Sequence, residues 1–103
     1  MTYKINRKIM KITEKQIESQ CNILCKKHKV LPLKLVLFVG IGFPDRTLLK
    51  DGKAVFVEYK TDIGMQSKMQ MVWQDRLELL GFNYYICRSL DDMKRILKNE
   101  FNV

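Results

Sequence analysis

The 103-residue chain predicts an α/β fold: a small mixed β-sheet flanked by helices, in the order α-β-β-β-α-β-α. Three observations predict it. Helical periodicity recurs three times, each time opened by Thr or Ser with Gln or Asp three residues on. Asp51-Gly52 sits between two apolar runs, the signature of a two-residue hairpin turn. A final strand at 82–87 follows a helical crossover, so it runs parallel to a central strand.

Residues 1–12 are a basic lead-in and 13–103 a single domain. Thr13 and Gln16 fit a capping box, and Ile12 with Ile17 a hydrophobic staple, so the first helix opens at Thr13. Ile17, Cys21, Leu24 and His28 form its inward face. Pro32 marks the exit, and the apolar run Leu33–Val39 predicts a buried strand. The sequence VGIGFP bends into a hairpin with strands at 45–50 and 53–60. TDIGMQ is a loop. Ser67 with Gln70 opens a second helix, whose stripe is Met69, Val72, Trp73, Arg76, Leu77 and Leu80, and Gly81 stops it. The strand over 82–87 follows. Ser89 and Asp92 open a last helix with Met93, Ile96 and Leu97 inside.

Lys and Arg number 19 against 11 Asp and Glu, a net charge of +8 and a pI of about 9.5. That balance favours an anionic partner, nucleic acid or an acidic membrane surface. No apolar run reaches the ~18 residues of a transmembrane helix, and the basic N-terminus has no apolar signal core, so the expectation is a cytoplasmic protein. Cys21, Cys25 and Cys87 are an odd set, read as buried thiols rather than a disulfide framework. With only His28 to join them, they do not make a zinc site.

The hairpin holds the chemistry. With Asp51-Gly52 as the loop, Lys50 opposes Lys53, Leu49 opposes Ala54, Thr47 opposes Phe56, and Asp45 opposes Glu58. Opposed residues share a face and side chains alternate along a strand, so Asp45, Glu58 and Lys60 lie together at the hairpin base. Two opposed carboxylates repel, and a positive group must offset this: Lys60 or a bound cation. Hard cations such as Mg²⁺ take one or two carboxylates plus water and substrate phosphate. A lysine beside them supplies charge for a phosphodiester transition state.

Pro44-Asp45 followed by Glu58-Tyr59-Lys60 resembles the PD-(D/E)xK nuclease signature. More narrowly, TEKQIESQ, GIGFPD, VFVEYKTDIG, SKMQMVW, LELLGF and CRSLDDMKRIL resemble the virus-type replication-repair nuclease (VRR-NUC) family. These stretches span residues 13 to 97. The resemblance implies a restriction-endonuclease-like core. It implies that Asp45 and Glu58 bind Mg²⁺, or Mn²⁺ in its place, with the Tyr59 carbonyl as a further ligand, and that Lys60 is the catalytic lysine. Gln70 would support the site, or else only close its capping box. An acidic residue of the first helix should complete it. Helical projection points Glu14 further inward than Glu18, so Glu14 is the first choice and Glu18 the reserve.

Arg46, Lys50, Lys53 and Lys68 are candidate phosphate contacts; the plain alternative is a solvated basic face. Trp73 and the aromatics at 82, 84 and 85 read as core, and His28 as the polar end of a stripe. The implied activity is structure-specific DNA endonuclease action on branched DNA, four-way (Holliday) junctions above all. The implied assembly is a homodimer, in a phage or prophage setting, with neither a nucleotide cofactor nor a membrane partner. The alternative is a non-catalytic nucleic-acid-binding or adaptor module in a replication or repair complex.

Overall fold

The computed structural model describes residues 11–37 and 40–103. Residues 1–10 of the lead-in, and Phe38 and Val39 of the expected first strand, lie outside them. The elements are α1 (Glu14–Lys27), β1 (Leu31–Leu33), β2 (Arg46–Lys50), β3 (Lys53–Tyr59), α2 (Lys68–Leu79), β4 (Asn83–Cys87) and α3 (Leu90–Phe101). They follow the expected order. One four-stranded sheet runs β1-β2-β3-β4. The first two pairings are antiparallel and β3/β4 is parallel.

Local chemistry sets most of these boundaries. Thr13 and Ser67 each accept from the backbone N–H three residues on, and Gln16 and Gln70 reach back in return. Both are full capping boxes, each satisfying two otherwise orphaned N–H groups. At Ser89 the box is half made. Its hydroxyl accepts from Asp92 N, but the Asp92 carboxylate takes the Arg88 N–H instead. Asp51 and Gly52 have φ of 52° and 75°, the left-handed pair a type I′ turn requires. The hairpin register is Lys50↔Lys53, Leu49↔Ala54, Thr47↔Phe56 and Arg46↔Val57.

The sheet separates two apolar clusters. Val55, Val57 and Tyr59 of β3 pack with α1 and α3 through Ile17, Cys21, Cys25, Met93 and Leu97. Phe56 and Tyr84 pack with Leu77 of α2 on the other face, against Phe43 and Ile86. The three cysteines are free and buried. At the hairpin tip Lys53 pairs with Glu100 of α3 at 2.6 Å, and Asn83 and Tyr85 also bond that carboxylate.

Two expectations are corrected. The strand expected over 33–39 is the three-residue β1, which starts two residues earlier and contains Pro32. The ladder with β2 ends at Leu33↔Thr47, one pair short of the start of β2 at Arg46. Leu35, Val36 and Leu37 are exposed. Pro32 is tolerated because β1 is an edge strand. The stripe of α2 is also narrower than expected: Leu77 is buried and Trp73 half-buried, but Met69, Val72 and Leu80 are exposed. The cluster beneath α2 takes Leu77 as its one buried residue from that helix.

Candidate active site at the hairpin base

β3 is one of the two interior strands, and the alternation at its end builds the site. Val57 and Tyr59 go to the α1/α3 core, so Glu58 points to the α2 face with Phe56 before it. Glu58 is fully buried, and neither carboxylate oxygen has a hydrogen-bond partner. An ionised carboxyl without partners is costly to bury. Burial accordingly pushes its pKa up to about 7, against the pull of Lys60 and the Tyr84 hydroxyl, with Asp45 and Glu14 adding to the rise.

Lys60 follows two residues on. It is largely buried, with Nζ 3.8 Å from Glu58 Oε2. Asp45 lies just before β2. Its Oδ2 accepts from Tyr59 N at 2.7 Å, which ties the entry of β2 to the end of β3. Burial raises the Asp45 pKa and the Tyr59 N–H opposes it; Glu18 raises it further, and Lys34 and Lys60 lower it. Gly42 shapes the approach. Its φ is +83°, and a Cβ there would stand 2.8 Å from the Met69 backbone, so the chain before Asp45 lies directly on the start of α2.

Asp45, Glu58 and Lys60 therefore come together. The other candidates divide. Gln70 has its Oε1 committed to Ser67 N at 2.7 Å, and its amide nitrogen stays available. Glu14 is exposed in the first turn of α1, whereas Glu18, one turn on, is half-buried. This reverses the burial expected from helical projection. The reason is Arg46, whose Nε is 2.7 Å from Glu18 and draws it towards the sheet. Arg46 also donates to the Pro32 carbonyl, so its guanidinium is engaged on the α1 face. Lys50 and Lys53 sit at the hairpin tip, the far end of the strands, where Lys50 lies 3.7 Å from Asp51 and Lys53 holds Glu100. Lys68 is exposed at the first residue of α2.

The sequence reading missed the Tyr84 hydroxyl. It took Tyr84 as core, and the ring is indeed core. Yet Gln66 donates to its oxygen at 3.1 Å, and Glu58 lies on the same face. No local signal marks this, because it depends on the β3/β4 pairing.

Among the described residues no three His, Cys, Asp or Glu side chains cluster as a ready-made metal centre. The donor set that is present is two carboxylates beside a strand backbone, Glu58 fully buried and Asp45 half-buried. That suits a hard divalent cation which keeps part of its hydration. The orphaned, buried Glu58 carboxylate is the feature such a cation would satisfy.

An α-β-β-β-α-β-α chain around a mixed four-stranded sheet is a compact α/β fold. More narrowly, it is the fold of the VRR-NUC domain. A solved structure of a VRR-NUC domain matches with a TM-score of 0.77 at 20% sequence identity, covering 85% of this chain and 97% of that one. Scanning protein-family profiles gave no match, and searching curated proteins gave none either.

Proposed function

We propose that the protein is a divalent-metal-dependent, structure-specific DNA endonuclease that hydrolyses phosphodiester bonds in branched DNA, four-way junctions in particular. The observation that carries this reading is the fully buried, unpartnered Glu58 beside Lys60, on the strand that also anchors Asp45. The shared fold and the +8 charge support it. An open cleft of about 630 Å³ beside α1, lined by Lys15, Lys34, Arg46 and Glu18 among others, offers a phosphate path.

Asp45 and Glu58 would hold Mg²⁺ or Mn²⁺, with the Tyr59 carbonyl as a further ligand. The cation, when bound, polarises the scissile phosphate and lowers the pKa of a water towards neutrality. Lys60 brings its ammonium to the charge that grows on the phosphoryl oxygens. The Tyr59 N–H fixes one Asp45 oxygen and so aims the other. Either glutamate of α1 could serve as the further acidic residue, since the charge of Glu18 is felt at Asp45 and that of Glu14 at Glu58. No element resembling a base-reading module is present among the described residues, so binding rests on phosphate contacts. Two copies acting as a homodimer would present two sites to the two strands of a junction.

The test compares cleavage of a four-way junction, a flap, a splayed arm and linear duplex with Mg²⁺. The junction should be cut fastest. Lys60→Ala should lower cleavage by at least about 100-fold while junction binding persists. Equal cutting by the two proteins would remove the enzyme claim.

A further inference from the structure

We propose that Arg88 is a positioning residue for Lys60. Its guanidinium gathers the carbonyls of Thr61, Asp62 and Gly64, lays the loop after β3 over the Lys60 stem, and so keeps the ammonium beside Glu58. The proposal deepens the nuclease reading and rests on it only for what Lys60 does there.

A lysine stem is long and flexible, so its ammonium stays in one place only where the stem is packed. Lys60 Nζ is 3.8 Å from Glu58 Oε2, too long for a hydrogen bond, so that contact does not hold it. The stem does, since the side chain is only 12% exposed. Part of its cover is the loop. A Cβ at Gly64 would stand 3.3 Å from Lys60 Cδ, tighter than an ordinary contact. The φ of Gly64 is outside the left-handed region, so glycine serves here for close approach rather than for backbone conformation. The loop itself runs at the surface, with Asp62 and Ile63 exposed. Its own turn contributes the bond from Gly64 N–H to the Thr61 carbonyl, at 3.2 Å. Arg88 ties that turn to the sheet. Its Nη1 lies 2.6 Å from the Thr61 oxygen and 2.8 Å from the Gly64 oxygen, with the Asp62 oxygen at 3.3 Å. Bonds from a guanidinium are charge-assisted and stronger than neutral ones. Arg88 is in turn held at its root, where its N–H donates to Asp92 Oδ2 at 2.8 Å. The carbonyl just before it, that of Cys87, accepts from Lys60 N–H at 3.1 Å. The exit of β4 therefore holds both the backbone of Lys60 and the loop that covers its side chain.

Arg88→Ala should lower kcat on the four-way junction about 10- to 100-fold, with KM little changed. Gly64→Ala, which leaves the guanidinium in place but sets a methyl against the stem, should lower kcat as well. Neither should lower the residual cutting of Lys60→Ala any further, because both act through the ammonium. Guanidinium ions should restore part of the cutting by Arg88→Ala, and sodium ions at the same concentration should not. In the metal-free protein, NMR relaxation of the lysine Cε carbons should show Lys60 ordered and the exposed Lys94 mobile. Arg88→Ala should bring Lys60 to the mobility of Lys94. Arg88→Ala cutting at the wild-type kcat, or losing as much in the Lys60→Ala background as in the wild type, overturns the proposal. So does an unchanged Lys60 Cε in Arg88→Ala. If Arg88→Ala does not fold, Gly64→Ala decides by the same two readouts. A wild type that cuts nothing, while its Lys60 loosens in Arg88→Ala, overturns the nuclease reading instead and leaves the positioning standing.

Discussion

Glu58 is a carboxyl in a place where hydrocarbon would be more stable. It lies between the Phe56 cluster and Lys60, fully buried, with neither oxygen hydrogen-bonded and the Lys60 ammonium 3.8 Å from one of them. Burial lifts its pKa from 4.5 to about 7. Below pH 4.5 the group is neutral in the folded and the unfolded chain alike and costs nothing. Between 4.5 and about 7 the unfolded chain ionises it and the folded chain does not, so stability falls as pH rises. Above about 7 both are ionised, and stability levels off at its lower value. The metal-free protein should therefore lose melting temperature across that window, and Glu58→Gln should flatten the loss. Adding Mn²⁺ at pH 8 should raise the melting temperature of the wild type but not of Glu58→Gln. Thermal unfolding across pH, with and without the ion, checks both. An unchanged pH profile in Glu58→Gln would show that the carboxyl is not the strained group.

The elements differ in how far the sequence alone reveals them. Capping boxes, the Asp51-Gly52 turn and the hairpin register depend on residues a few positions apart; the turn, the register and the boxes at Thr13 and Ser67 form as read, and the box at Ser89 is half made. Asp45, Glu58 and Lys60 come together for the same reason, since one hairpin register is enough to align them. An apolar run such as Leu33–Val39 does not say how far it has a strand to pair with, and here Leu33 alone pairs among its described residues. Periodicity in α2 likewise cannot tell how wide a face its partner offers. Glu18 is drawn in by Arg46, 28 residues away, and Tyr84 reaches the face of Glu58 only through a parallel crossover pairing. Gln70 is the element-scale test, because its oxygen caps α2 while its amide nitrogen stays available. Ser67→Ala should cost about 1 kcal/mol of stability, and Gln70→Ala a similar amount. Only Gln70→Ala should also slow cleavage, measured well below both melting temperatures. If both variants cut like the wild type, Gln70 is a cap and nothing more.

At the scale of the whole molecule, charge and exposed apolar surface oppose each other. Each copy carries +8, so two copies brought together carry +16 and repel. Yet the outer side of α2 and its exit expose Met71, Val72, Leu79 and Leu80, with Leu79 at 88% and Leu80 at 74%. Apolar side chains left in water on that helix offer one place for two copies to associate. A homodimer joined there would bury hydrocarbon against repelling charge, and salt would strengthen it by screening the repulsion. On the proposed reading, junction binding would rest on lysine–phosphate contacts and would weaken with salt. The two equilibria should therefore move in opposite directions. Raising salt from about 50 to 200 mM should lower junction affinity about 10³-fold or more if six or more phosphates are contacted. Over the same range sedimentation should show the dimer retained or tightened. Leu79→Glu with Leu80→Glu should yield single chains at all salt concentrations, with paired junction cuts becoming uncoupled nicks. A dimer that dissociates as salt rises would instead be held by ion pairs, and its interface would then lie away from α2.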